Sequence, residues 1–205
     1  MLRTLSVALA VLALAATQAI AQAPALDAAK VQSAVEKSWP NVPADWRQRL
    51  EQDETMATCS KYRNSPPPAE ADRIVAREKA SIKYPPDGVL MGDWKRGEKL
   101  AQSGYGRRFT DYPPRRENGG NCYACHQLAQ KELSFGTLGP SLLEYGKIRK
   151  FSDADVKVVY ERIYNPQAAV ACANMPRLGA NGHLTIAQIK DLVAYVMSPD
   201  SPVNK

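Results

Sequence analysis

Residues Gly119–Leu128 read GGNCYACHQL, and they hold two of the chain's four cysteines and one of its two histidines. Cys122, Cys125 and His126 can be read as part of a zinc site, as a dithiol redox pair, or as the anchor of a covalently attached haem. A zinc site of the Cys-x-x-Cys kind needs two further ligands, normally a second close pair, and Cys59 and Cys172 stand far apart. A thioredoxin-type pair follows a strand in a βαβ pattern, whereas a glycine-rich loop precedes this one.

The haem reading accounts for all three side chains. Two thiols three residues apart on a helical turn reach the two vinyl groups of one porphyrin as thioethers, and the next residue aims an imidazole at the iron. The motif therefore predicts one haem c bound through Cys122 and Cys125, with His126 as an axial ligand. A ligating imidazole usually donates its other N–H to a carbonyl or carboxylate, and the Pro140 carbonyl is the candidate acceptor. The other face of the iron could take Met56, Met91, Met175, Met197 or His183. Met197 falls on the apolar face of the last predicted helix, so a core role suits it better. Met175, in the loop Cys172-Ala173-Asn174-Met175-Pro176-Arg177, is the favoured sixth ligand and His183 the second choice. Iron held by two protein ligands has no open position for substrate, and such a haem transfers electrons.

The surrounding sequence predicts an all-α chain. Asp93 to Gln102 reads as a short helix leading to the haem motif. Ser152-Asp153-Ala154-Asp155 has capping-box spacing ahead of apolar residues at Val156, Val159, Tyr160, Ile163 and Tyr164, and that helix should stop at Asn165-Pro166. Thr185 and Gln188 repeat the spacing ahead of Ile189, Leu192, Val193, Val196 and Met197, with Pro199 as the stop. No segment of this half alternates with strand period. Residues 22–92 read as a helical extension broken by prolines, with helix candidates after Pro43 and from Ala69 to Ile82. The extension could flank the main domain or serve as a docking arm.

Residues 1–21 have the order of a secretory signal peptide: Arg3, an apolar run from Leu5 to Ala16, then Ala19-Ile20-Ala21. An exported chain is expected, cleaved near Gln22, with no later membrane insertion. In an oxidising compartment, Cys59 and Cys172 are left as a candidate disulfide, the competing reading being a free thiol kept for a reaction. Lysine and arginine number 27 against 21 acidic residues, a net charge of +6. With no basic helix or aromatic-interleaved patch, that balance suits an acidic protein partner better than nucleic acid.

The helix before CxxCH, the Gly139-Pro140 turn, the Met175-Pro176 loop and the closing helix with Val193-Ala194-Tyr195-Val196 resemble a class I cytochrome c domain over residues 93–205. One departure is Ala101, where that fold often packs an aromatic ring against the closing helix. More narrowly, the blocks GNCYACHQL, GTLGPSLLEYGK, ERIYNPQA, CANMPRLG and LTIAQIKDLVAYVMSPDSPVN resemble the SoxX family, monohaem subunits of the SoxAX complex of bacterial sulfur oxidation. That resemblance implies a periplasmic heterodimer with a SoxA subunit, acting as an L-cysteine S-thiosulfotransferase on the SoxYZ carrier protein and passing electrons to a downstream cytochrome. It puts Cys122 and Cys125 at the attachment positions and His126 and Met175 at the axial ones, with no catalytic nucleophile in this chain. A free-standing periplasmic electron carrier is the alternative.

Overall fold

A computed structural model describes residues 27–47 and 49–205, and the export signal expected at residues 1–21 lies outside them. Every regular element among the described residues is helical, and none is a strand. The chain forms two compact units, residues 1–42 and 43–205. The described part of the first unit is built on α1, Ala28–Ser38, whose first turn is capped by the Asp27 carboxylate accepting from the amides of Ala29 and Lys30.

The second unit contains seven further helices among the described residues: α2 (Ala44–Arg47), α3 (Glu54–Lys61), α4 (Pro68–Ala80), α5 (Trp94–Gln102), α6 (Tyr145–Ile148), α7 (Asp153–Tyr164) and α8 (Ile186–Met197). Its core is the α5–α8 pair with α7 packed alongside, and Tyr160, Tyr195, Leu128, Ile189 and Leu192 are all shut off from solvent. The crossing of α5 over α8 is close because Gly97 has no side chain. A Cβ there would stand 2.1 Å from the Asp191 carbonyl oxygen and 2.8 Å from Tyr195 Cβ. Small residues thus take the place of aromatic packing at this crossing, and Ala101, one turn further along α5, is fully buried. Polar contacts fix the same junction: the Asp191 carboxylate accepts from the Asp93 amide at 2.8 Å and from Arg96, while the Gly92 amide donates to the Lys190 carbonyl.

The ends of α7 and α8 follow from their caps. At α8 the capping box is complete: Thr185 Oγ1 accepts from the Gln188 amide, and the Gln188 side chain accepts from the Thr185 amide. At α7 only half of the box forms. Ser152 Oγ accepts from the Asp155 amide, but the Asp155 carboxylate accepts from the Ser152 hydroxyl rather than from the Ser152 amide. Asn165 ends α7, and its side chain then accepts from the Gln167 amide to start a short turn over Pro166–Ala168.

Candidate haem attachment site

The loop before the motif enters it through Asn121, whose backbone is left-handed at φ 51°, a conformation that asparagine tolerates better than most residues. Cys122–Ala124 then form one tight helical turn, and the His126 amide donates to the Cys122 carbonyl at 2.9 Å. The turn puts Cys122 and Cys125 on the same short piece of backbone, and both thiols are free and partly buried. Burial pushes the Cys122 thiol up to about 12, although the Arg107 charge pulls the other way. It is therefore protonated at neutral pH, the opposite of the poised thiolate that disulfide exchange requires. Among the described residues, no group of three or more His, Cys, Asp or Glu could hold a metal ion, which leaves the zinc reading without a ligand set.

The imidazole of His126 is fixed from behind. Its Nδ1 lies 2.8 Å from the Pro140 carbonyl oxygen, so Nδ1–H donates and Nε2 keeps a lone pair for a ligand. Gly139 makes room for the ring, because a Cβ at that position would stand 2.2 Å from Cε1 and 2.7 Å from Nε2 of His126. The segment is held to the motif by the Gly136 amide donating to the Tyr123 carbonyl and the Gly139 amide donating to the Cys125 carbonyl, both at 2.8 Å.

The methionines differ in their surroundings. Met197 is enclosed in the core, and Met56 is exposed on α3. Met91 and Met175 are partly buried against the same core that Cys122 and Leu142 touch. The ring nitrogen Nε2 of His183 is already engaged, 3.0 Å from the Gly119 carbonyl. Burial, helped by the charges of Arg107 and Arg49, lowers the His183 pKa. Cys59 and Cys172 are joined by a disulfide with their Cα atoms 5.5 Å apart. It closes a loop across 113 sequence positions, a constraint worth about 2 to 4 kcal/mol.

Two contributors were not visible in the motif. Gly139 read only as part of a turn, and its closeness to His126 is set by the folded loop. Arg107 sits in the loop before the motif, where burial lowers its pKa while Cys122 and Cys125 act in the opposite sense. Its Nη2 donates to the Gly120 carbonyl at 3.3 Å, but its buried Nε has no acceptor among the described residues. A buried guanidinium N–H without a partner, within electrostatic reach of Cys122 and Cys125, suits a group that carries carboxylates. Leu133 and Leu138, on the loop after the motif, are almost fully exposed apolar side chains, of a kind that would suit contact with an apolar macrocycle. The thiol pair, the backbone-locked imidazole, the unsatisfied arginine and the apolar loop all fit haem c.

The sequence profile of the cytochrome c family matches residues 94–199, slightly more than half of the chain. A protein of Aquifex aeolicus (strain VF5) described as an uncharacterized lipoprotein is 39% identical over 161 residues, covering 75% of this chain and 73% of its own length. That match is longer than the profile match and so takes in residues outside 94–199. No helix among the described residues is long and apolar enough to cross a membrane. Helical architecture, attachment motif and profile agree, and the chain belongs to the cytochrome c family.

Proposed function

We propose that this protein is the monohaem electron-transfer subunit of a SoxAX-type complex, an L-cysteine S-thiosulfotransferase that oxidatively couples thiosulfate to a cysteine of the SoxYZ carrier. In this reading Cys122 and Cys125 would hold the haem through thioethers, and His126 and Met175 would supply the two protein ligands to its iron. When bound, haem c supplies an iron centre that gains and loses one electron. The protein's own contribution is to position that centre and tune it. The Pro140 carbonyl holds the proton on Nδ1 of His126, which fixes the tautomer and makes Nε2 the coordinating atom. Arg107 Nε is available to a propionate. Met175, as a thioether ligand, would raise the potential above that of a bis-histidine haem and would leave no open position for substrate. Thiosulfate chemistry therefore belongs to the partner, the SoxA subunit, and this chain passes the released electrons to a downstream cytochrome in the periplasm.

The observation that carries the haem assignment is the backbone-locked imidazole directly after two free thiols. Support for the narrower reading comes from the blocks IYNPQA and SPVN, which do structural work away from the motif. Asn165 of the first donates to the Glu78 carboxylate at 2.6 Å. Asn204 of the second donates to the carbonyls of Val196 and Ser198 and accepts from the Lys147 amide. Asn204 closes the C-terminus within the main domain, whereas Asn165 grips the extension, and a free-standing carrier needs neither an extension nor a residue that grips it. Purification from the native periplasm is the test: this protein should be recovered with a second haem-bearing subunit, and recovery only as a lone monomer would overturn the proposal in favour of the free carrier.

A further inference from the structure

Met175 lies between two anchors, and both attach to α3 and α4 or the cap between them and the preceding loop, outside the segment that the cytochrome c profile covers. Three residues before it, Cys172 is bonded to Cys59 of α3, and this disulfide packs on Ile74 of α4. Two residues after it, the Arg177 guanidinium reaches the Glu78 carboxylate of α4 at 3.3 Å and forms an ion pair with Asp53, the cap of α3. Glu78 is itself held from every side. Thr55 Oγ1 and Asn165 Nδ2 donate to it, and Arg77 stands 3.9 Å away and also donates to Thr55 Oγ1. Glu78, Arg177, Asn165 and Thr55 are all buried. The backbone at Cys172 is left-handed, φ 58°, a conformation that residues with a Cβ rarely adopt, so the path of the loop is imposed on it.

We propose that residues 53–80 of the extension are a brace for the methionine loop, with Glu78, Arg177 and the Cys59–Cys172 bridge as the positioning groups that keep Met175 on the iron. This rests on Met175 being the sixth ligand. Attachment of the haem needs only the CxxCH segment, but a thioether is a weak ligand and a loop anchored at one end alone would let it leave. A covalent anchor on one side and a buried, charge-assisted one on the other leave the loop a single low-energy position. The buried ion cluster then serves to specify a conformation, a use for which such clusters are suited even where their net stability is small.

An external ligand can reach the ferric iron only when Met175 is off, so its apparent affinity measures how often the loop opens. Titration of the ferric holoprotein with imidazole, followed by the optical spectrum, reads this directly. Glu78→Gln, which keeps the shape but removes the charge and can accept from only one of Thr55 and Asn165, and the double variant Cys59→Ala with Cys172→Ala should each bind imidazole at least about tenfold more tightly than the natural chain. Asp53→Asn leaves the α3 cap in place, since asparagine caps as well as aspartate, and breaks only the exposed side of the anchor; it should shift affinity in the same direction by less. Its mildness keeps the test decisive even if the buried variants do not fold. Wild-type imidazole affinity in a folded, haem-loaded Asp53→Asn or Glu78→Gln would overturn the brace and leave an ordinary core ion pair. Met175→Ala serves as the control. It should bind imidazole most tightly of all, and wild-type affinity in that variant would instead remove the ligand assignment on which the brace rests.

Discussion

Gly139 passes so close to the His126 imidazole that the space a side chain would need there is already filled by the ring, with Cε1 2.2 Å from the position of an added Cβ. The imidazole cannot swing away cheaply, because Nδ1 is committed to Pro140, the next residue. Gly139→Ala should therefore displace the ring or the loop. The expected result is a loss of roughly 1 to 3 kcal/mol in denaturant unfolding, the range for overpacking a filled site, together with a disturbed haem spectrum. A variant with normal stability and a normal spectrum would show that the loop relaxes without moving His126.

At the α5–α8 crossing, helix propensity and packing pull in opposite directions. Replacing Gly97 in a helix by alanine should gain up to about 1 kcal/mol of propensity. Its methyl group would meet backbone, the Asp191 carbonyl oxygen at 2.1 Å, which cannot be moved without shifting α8. Gly97→Ala should be net destabilising, by roughly 1 to 3 kcal/mol. Thermal unfolding decides the sign, and a raised melting temperature would mean that the crossing is looser than the structure shows.

Tyr123 and Tyr195 meet hydroxyl to hydroxyl at 2.7 Å in the core, and the Tyr123 oxygen also accepts from the Ala129 amide. The two phenylalanine variants should therefore differ. Tyr195→Phe removes one bond and should cost about 1 kcal/mol. Tyr123→Phe removes two and leaves a buried amide and a buried hydroxyl without partners, so its cost should be larger, about 2 to 3 kcal/mol. Equilibrium unfolding of both variants checks the order, and equal costs would argue against the shared hydroxyl.

Asp53 gives the acid end of the stability curve a specific contributor. Burial works against its charge, but the Met56 amide and the Arg177 guanidinium outweigh it and hold the carboxyl below its ordinary 3.8. In the unfolded chain the group binds its proton more readily, so its ionised form favours folding. The stability gap between the natural chain and Asp53→Asn should be fully present above pH 3.8 and should close as the pH falls through the lower folded value. Unfolding measured across that window tests it, and a gap that persists in strong acid would assign the difference to something other than the charge.

Much of the helical frame was legible because its signals are local. Capping residues and period-3.6 apolar positions mark α7 and α8 within a dozen residues, and Asp93 marks the start of α5. The remaining cysteine pair could be read from composition together with the expectation of export. What escaped depends on residues distant in sequence. Nothing near Glu78 announces Arg177, 99 positions later, and the proline-broken extension concealed α3 because its apolar side faces a disulfide rather than the main core. Ala101 misled in the other direction: it looked like missing packing, but Gly97 had already brought the helices together. Nothing in the sequence around Arg107 signals that its Nε is buried without an acceptor among the described residues.

In the proposed function His126 and Met175 would together ligate the iron of one haem from its two faces, which would make this chain a carrier of electrons. The most direct measurement is the optical spectrum of the ferric holoprotein beside that of Met175→Ala. A low-spin spectrum with a methionine-to-iron band in the natural chain, lost in the variant along with a fall in reduction potential, is the predicted result. An unchanged spectrum in Met175→Ala, or a high-spin spectrum in the natural resting protein, would contradict it.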